Sequence, residues 1–93
     1  MKKIQQLRNE ITALDAQLLH LLNARGQLAQ QIGLEKIKIN ENILVPQRET
    51  QIIEQLKIQN KGPCTPQMIE DIYLILFRIS RELQKNIIKS IKS

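Results

Sequence analysis

Arg25 and Lys36 fall at the centre of an apolar helical stripe, Glu49 lies on the apolar side of a second stripe with Arg48 at its border, and Ser80 and Gln84 sit four apart within a third. Permanent cations on the buried side of a helix are costly unless something anionic meets them. A carboxylate, a hydroxyl and an amide on neighbouring faces can supply acceptors and further donors. Each has a plainer reading. Glu49 suits the first turn of a helix, where the dipole favours an acid, and a buried Ser80 or Gln84 commonly bonds a backbone carbonyl or a neighbour. Interruptions on all three stripes together point to a polar pocket lined by helix faces. That pocket is cationic and has no Cys nucleophile, His base, metal cluster or glycine-rich phosphate loop within reach. Its natural guest is a small organic polyanion, and it has little apparatus for covalent or proton-transfer chemistry.

The elements that must position these groups are helices. Apolar residues recur at Ile4, Leu7, Ile11, Leu14, Leu18, Leu21, Leu22, Leu28 and Ile32, the three-four spacing of one helical face. The pattern predicts a first helix from near Lys2 to Lys38, about 50 Å long at 1.5 Å per residue. A compact monomer of 93 residues has a radius of gyration on the order of 12 Å. The rest of the chain cannot cover such a helix. Either the helix breaks or the chain pairs with a copy of itself, and the uninterrupted stripe favours pairing.

The segment from Asn40 to Val45 loses the helical period, and Val45 before Pro46 is pushed out of the α region. Pro46 suits the first turn of a second helix, which runs to about Gln59 on Ile52, Ile53 and Leu56. Asn60 to Cys64 is a turn by composition. Thr65 and Pro66 read as an N-cap and first helical residue. The third helix uses Ile69, Ile72, Tyr73, Leu76, Leu83, Ile87 and Ile91 as its buried stripe. Glu70, Asp71, Arg78, Arg81, Glu82, Lys85 and Lys89 are expected on the opposite, solvated side. The expected architecture is all-α, three helices in the order long, medium, long, without strands, in a single domain over residues 1–93.

Composition narrows the function classes. The net charge is +5, with one Tyr, one Phe and no Trp. Much of the excess sits at the ends, in Lys2, Lys3, Lys85, Lys89 and Lys92, with no stacking aromatics beside it, which argues against nucleic acid as a partner. The single Cys64 cannot form an internal disulfide and fits a reducing compartment. Two lysines at the start have no apolar run behind them, so no signal peptide is expected, and no stretch is apolar enough to span a membrane. A cytoplasmic protein is expected. His20 falls on the polar side of its helix without a second ligand nearby, and reads as a surface residue. Glu10 and Asp15 read as partners for intrahelical cations.

Arg8 lies 17 residues before Arg25, about 25 Å along the helix and rotated by about 100°. Within one helix the two cannot reach the same small molecule. In an antiparallel or crossed pair of chains, Arg8 of one copy could reach the pocket of the other.

The fragments Leu7-Arg8-Asn9-Glu10-Ile11-Thr12-Ala13-Leu14-Asp15, Leu21-Leu22-Asn23-Ala24-Arg25, Ile32-Gly33 with Lys36, Val45-Pro46-Gln47-Arg48-Glu49, and Ser80 with Gln84 closely resemble the all-helical (AroQ-type) chorismate mutases. Each fragment is weak alone, but all of them stand in register from Leu7 to Gln84. The resemblance implies an intertwined homodimer of three-helix chains, with Arg8 contributed in trans. It implies the Claisen rearrangement of chorismate to prephenate on the route to Phe and Tyr, with no cofactor and no metal. By this resemblance Arg25, Arg48 and Arg8 of the second chain hold the two carboxylates. Lys36 and Gln84 donate to the ether oxygen, Glu49 accepts from the ring hydroxyl, and Ser80 contributes near a carboxylate. Val45 stands where some members have Asp, and its backbone N–H can still face the substrate. The same fold is used by lyases resembling isochorismate–pyruvate lyase, and Glu49 directly after Arg48 favours the mutase over them. Mutase-like domains also occur fused to, or docked on, the enzyme that opens the shikimate pathway, so a regulatory or partner-binding role is the alternative from another class.

Overall fold

The computed structural model describes residues 3–92. They form α1 (Ile4–Lys38), α2 (Pro46–Gln59) and α3 (Pro66–Lys92), and no strand is present among the described residues. The expected start of α1 near Lys2 lies outside the described residues. The other boundaries agree with the sequence pattern, and each has a local cause. The backbone N–H of Lys3 donates to Gln6 Oε1 at 2.8 Å, closing the first turn of α1. At the other end Asn40 adopts a left-handed φ of 55°. The Asn40 N–H then reaches the Ile37 carbonyl, and the Glu41 N–H reaches the Lys36 carbonyl at 2.9 Å. This is a Schellman ending, with Asn rather than Gly in the left-handed position. Pro46 opens α2 as expected. Thr65 Oγ1 accepts from the Met68 N–H at 3.2 Å at the start of α3, an N-cap ahead of Pro66.

α3 is the element both others pack against. Arg25 of α1 meets Tyr73, Phe77 and Ser80 of α3, Gly26 meets Leu83, and Gly33 meets Gln84. The two helices cross closely at Gly33, which is buried together with Ala29. Phe77, outside the expected stripe, is the most buried apolar side chain at 3% exposure and meets Tyr73 edge-to-face, with ring centroids 6.0 Å apart.

The first half of α1 stands exposed among the described residues. Every residue from Lys3 to Asn23 is exposed, including Ile11 at 57% and Leu21 at 62%. Ile72 and Ile91, expected to be buried in α3, are exposed too. The chain extends over 56 Å with a radius of gyration of 16.7 Å, against about 12 Å for a compact domain of this length. An amphipathic arm of this kind presents its apolar stripe, with Arg25 and Lys36 further along the same face, to whatever packs against it. No helix among the described residues is long and apolar enough to cross a membrane.

Candidate functional site

The end of α1, the 40–45 loop, the start of α2 and the middle of α3 line an open-sided cavity of about 500 Å³, a size suited to a small organic molecule. Arg25, Lys36, Val45, Arg48, Glu49, Ser80 and Gln84 all line it. Of the residues expected at the site, only Arg8 is elsewhere. It is exposed on the free arm of α1, as the length of helix separating it from Arg25 requires.

Each lining group is held by the local fold. The Arg25 guanidinium donates from Nη1 to Ser80 Oγ and stands 5.8 Å from the Phe77 ring centroid and 6.0 Å from that of Tyr73. The hydroxyl and the two rings fix the side chain while using one of its five donors. The Schellman turn folds the loop back over the last turns of α1, so that Lys36 Nζ donates to the Ile43 carbonyl at 2.9 Å. Lys36 is thereby pinned with its ammonium at the cavity, with donors to spare. Val45 caps α2 through its carbonyl, which accepts from the N–H groups of Arg48 and Glu49. Arg48 lines the cavity as an exposed side chain.

Among the described residues Gln84 is the one buried polar residue, at 6% exposure, and its Oε1 has no hydrogen-bond partner there. Leaving such an atom unpaired costs about 1–3 kcal/mol. Gly33 makes this placement feasible, because Gln84 packs directly on the α1 backbone there. The floor is apolar, formed by Leu28, Ala29, Ile32, Ile43, Ile52 and Phe77. Charges above such a floor interact more strongly than they would in open water.

Two charged residues of the cavity were not expected there. Glu41 and Arg81 both line it, and Arg81 donates from Nη1 to Glu49 Oε2. The expectation that Arg81 faces solvent is therefore corrected. On the helical wheel Arg81 sits about 60° from Gln84, so it borders the polar part of the stripe. A long guanidinium at that border crosses to α2. The wheel treated the face as a line, while α3 serves two neighbours and needs a wider one.

The arrangement is an array of cations, two carboxylates and an amide with an unpaired oxygen over an apolar floor. It can hold a small anion with more than one carboxylate and place donors at chosen atoms of it. No group of three or more His, Cys, Asp or Glu side chains that could hold a metal ion occurs among the described residues.

Comparison with known proteins places this geometry in context. Residues 7–85 match the family described as chorismate mutase type II. A bifunctional chorismate mutase/prephenate dehydratase of Aquifex aeolicus is 38% identical over 91 residues, covering 94% of this chain and 25% of the relative. The chain spans about a quarter or less of the length of the curated relatives it matches. Among solved structures, a chorismate mutase of Thermus thermophilus superposes with a TM-score of 0.88 at 30% identity, covering 90% of this chain and 96% of that one. A Helicobacter pylori chorismate mutase in complex with prephenate gives 0.85 at 35% identity, covering 92% and 93%.

Proposed function

The chain belongs to the chorismate mutase type II family, and from that membership we propose that it converts chorismate to prephenate in a site completed by a second copy of itself. The reaction is unimolecular. The ether C–O bond of the enolpyruvyl group breaks as a new C–C bond forms at the ring, so no nucleophile, base or redox partner is required. Catalysis then rests on holding the substrate in its compact conformer and on donors aimed at the oxygen where negative charge develops.

The observation that carries this reading is the convergence of Arg25, Lys36, Arg48, Ser80 and Gln84 on one cavity. Arg25 and Arg48, with Arg8 of the second copy, hold the two carboxylates, because a guanidinium fork matches a carboxylate. Ser80 stands beside Arg25 at that end. Lys36 and Gln84 donate to the ether oxygen. Glu49 accepts from the ring hydroxyl, and the Val45 backbone borders it. Preorganisation supports the reading: Arg25 and Lys36 are already anchored by Ser80 and the Ile43 carbonyl.

The homodimer is supported by the bare arm of α1. Its exposed Leu and Ile side chains would each gain about 1 kcal/mol or more on being covered, and a twofold pairing covers the same face on both chains. The names of the curated relatives, which join chorismate mutase to prephenate dehydratase, support association or fusion with another enzyme of the same pathway.

The test is spectroscopic. Purified protein is given chorismate, and loss of the diene absorbance and appearance of prephenate are followed, with isochorismate in parallel. Saturable conversion of chorismate supports the proposal. Release of pyruvate from isochorismate without action on chorismate would assign a lyase, and inertness toward both in a folded dimer would leave a binding or regulatory role.

A further inference from the structure

Glu49 does not meet the cavity as a free carboxylate. Its Oε2 accepts from Arg81 Nη1, and both side chains are only about a quarter exposed, at 23% and 27%. A pair in that setting is screened less than one at the surface. The remaining cations of the cavity are differently engaged: Arg25 is bonded to Ser80, Lys36 to the Ile43 carbonyl, and Arg48 is left to the open side. Arg81 thus comes from α3 to the one carboxylate that α2 contributes.

We propose that Arg81 is the positioning residue for Glu49. By occupying Oε2 it fixes the carboxylate plane and leaves Oε1 as the acceptor for the ring hydroxyl of the substrate. It also satisfies Glu49 from the α3 side, so that Arg48, the next residue on α2, is not drawn into an ion pair and stays available for a substrate carboxylate. The pair is neutral as a unit, so the positive excess that attracts a dianion is kept. This inference rests on the reading of Glu49 as the hydroxyl acceptor.

The experiment is a double-mutant cycle between Arg81 and Glu49, read in chorismate kinetics and in calorimetric binding of prephenate. Arg81→Met lowers kcat/KM about tenfold, mainly through KM, and Arg81→Lys restores part of the loss. In the Glu49→Gln background, Arg81→Met changes kcat/KM by less than about twofold. Should Arg81→Met fold poorly, Arg81→Gln, which keeps a donor, takes its place in the cycle. Independent, additive effects of the two substitutions, or an Arg81→Met enzyme with unchanged kcat/KM, would overturn the inference while leaving the reaction intact. A wild type that binds prephenate but does not turn over chorismate would overturn the reaction instead. The cycle is then read in prephenate affinity, where the same coupling supports Arg81 and additivity removes it.

Discussion

Gly33 and Gln84 are packed backbone to backbone: a Cβ built on Gly33 lies 3.0 Å from the Gln84 Cβ and 3.2 Å from its Cα. Gly26, two helical turns earlier, has only the Leu83 Cδ1 within the same reach, also at 3.0 Å. The two glycines of α1 therefore differ in what a methyl group would displace. At Gly33 it is the main chain of α3, and at Gly26 it is the end of a flexible side chain.

Gly33→Ala is expected to destabilise the protein by about 1 kcal/mol. The gain in helix propensity of up to about 1 kcal/mol is outweighed by overpacking of about 1–3 kcal/mol. It also lowers kcat, because α3 shifts and carries Gln84 with it. Gly26→Ala is expected to be neutral or stabilising by up to about 1 kcal/mol, since Leu83 can turn aside. Denaturant titration of the two variants separates them. Equal losses would mean that the crossing at Gly33 is not as tight as described.

Lys36→Ala is expected to reduce kcat by about 10²- to 10³-fold, the usual scale for removing a donor aimed at developing charge. Stability falls by only about 1 kcal/mol, for the lost bond to the Ile43 carbonyl. Single-turnover rates and a thermal melt on the same preparation check both. Near-normal turnover would remove Lys36 from its role.

Gln84→Glu is expected to convert a site indifferent to protonation into an acid-dependent one. The amide donates at every pH, whereas a carboxyl in its place donates only when protonated. The pH profile of kcat/KM for the variant should rise toward acid while that of the wild type shows no such rise. Parallel profiles would mean that position 84 does not donate to the reacting oxygen.

Outside the cavity, Lys57 Nζ contacts Glu70 Oε1 at 2.8 Å and ties α2 to α3. The hydrogen bond and charge of Lys57 hold the Glu70 carboxyl below its ordinary value of 4.5. A carboxyl whose folded pKa is depressed adds stability that is present above the unfolded value and is lost as pH falls through the folded one. Lys57→Met should therefore lower Tm slightly at neutral pH, with the difference from wild type closing as pH drops below Glu70's ordinary range. A difference that persists in strong acid would assign the effect to packing of the lysine stem.

What the sequence made legible follows from periodicity and punctuation. Pro46, Thr65 and Pro66 placed two helix starts, and the unbroken stripe from Ile4 to Ile32 placed the long helix. Arg25, Lys36, Glu49, Ser80 and Gln84 were singled out because each breaks an apolar face, which a single helical wheel reveals. Arg81 was not, because its role depends on a carboxylate on another helix and on the angle at which α2 meets α3. Phe77 was missed for a related reason: α3 buries more than one stripe. The left-handed turn at Asn40 left no clearer trace than a lost period, yet it brings the Ile43 carbonyl to Lys36.

Dicarboxylates are expected to raise Tm, since Arg25, Lys36 and Arg48 repel one another in an empty cavity and a bound dianion relieves them. At a concentration 100 times its Kd, a ligand adds about 2.7 kcal/mol. The rise should shrink in Arg48→Ala. An unchanged melt with saturating prephenate would count against the cavity as a dianion site.

The proposed site takes Arg25 from one chain and Arg8 from another. Chorismate turnover by a refolded equimolar mixture of Arg8→Ala and Arg25→Ala chains, each expected to be nearly inactive alone, probes that sharing. Random pairing of the chains makes half of the dimers mixed, and each mixed dimer regains one intact site, so activity should return to about a quarter of wild type. A mixture that forms mixed dimers yet stays as inactive as its components would show that both arginines serve a site within one chain, and the shared-site account would be wrong.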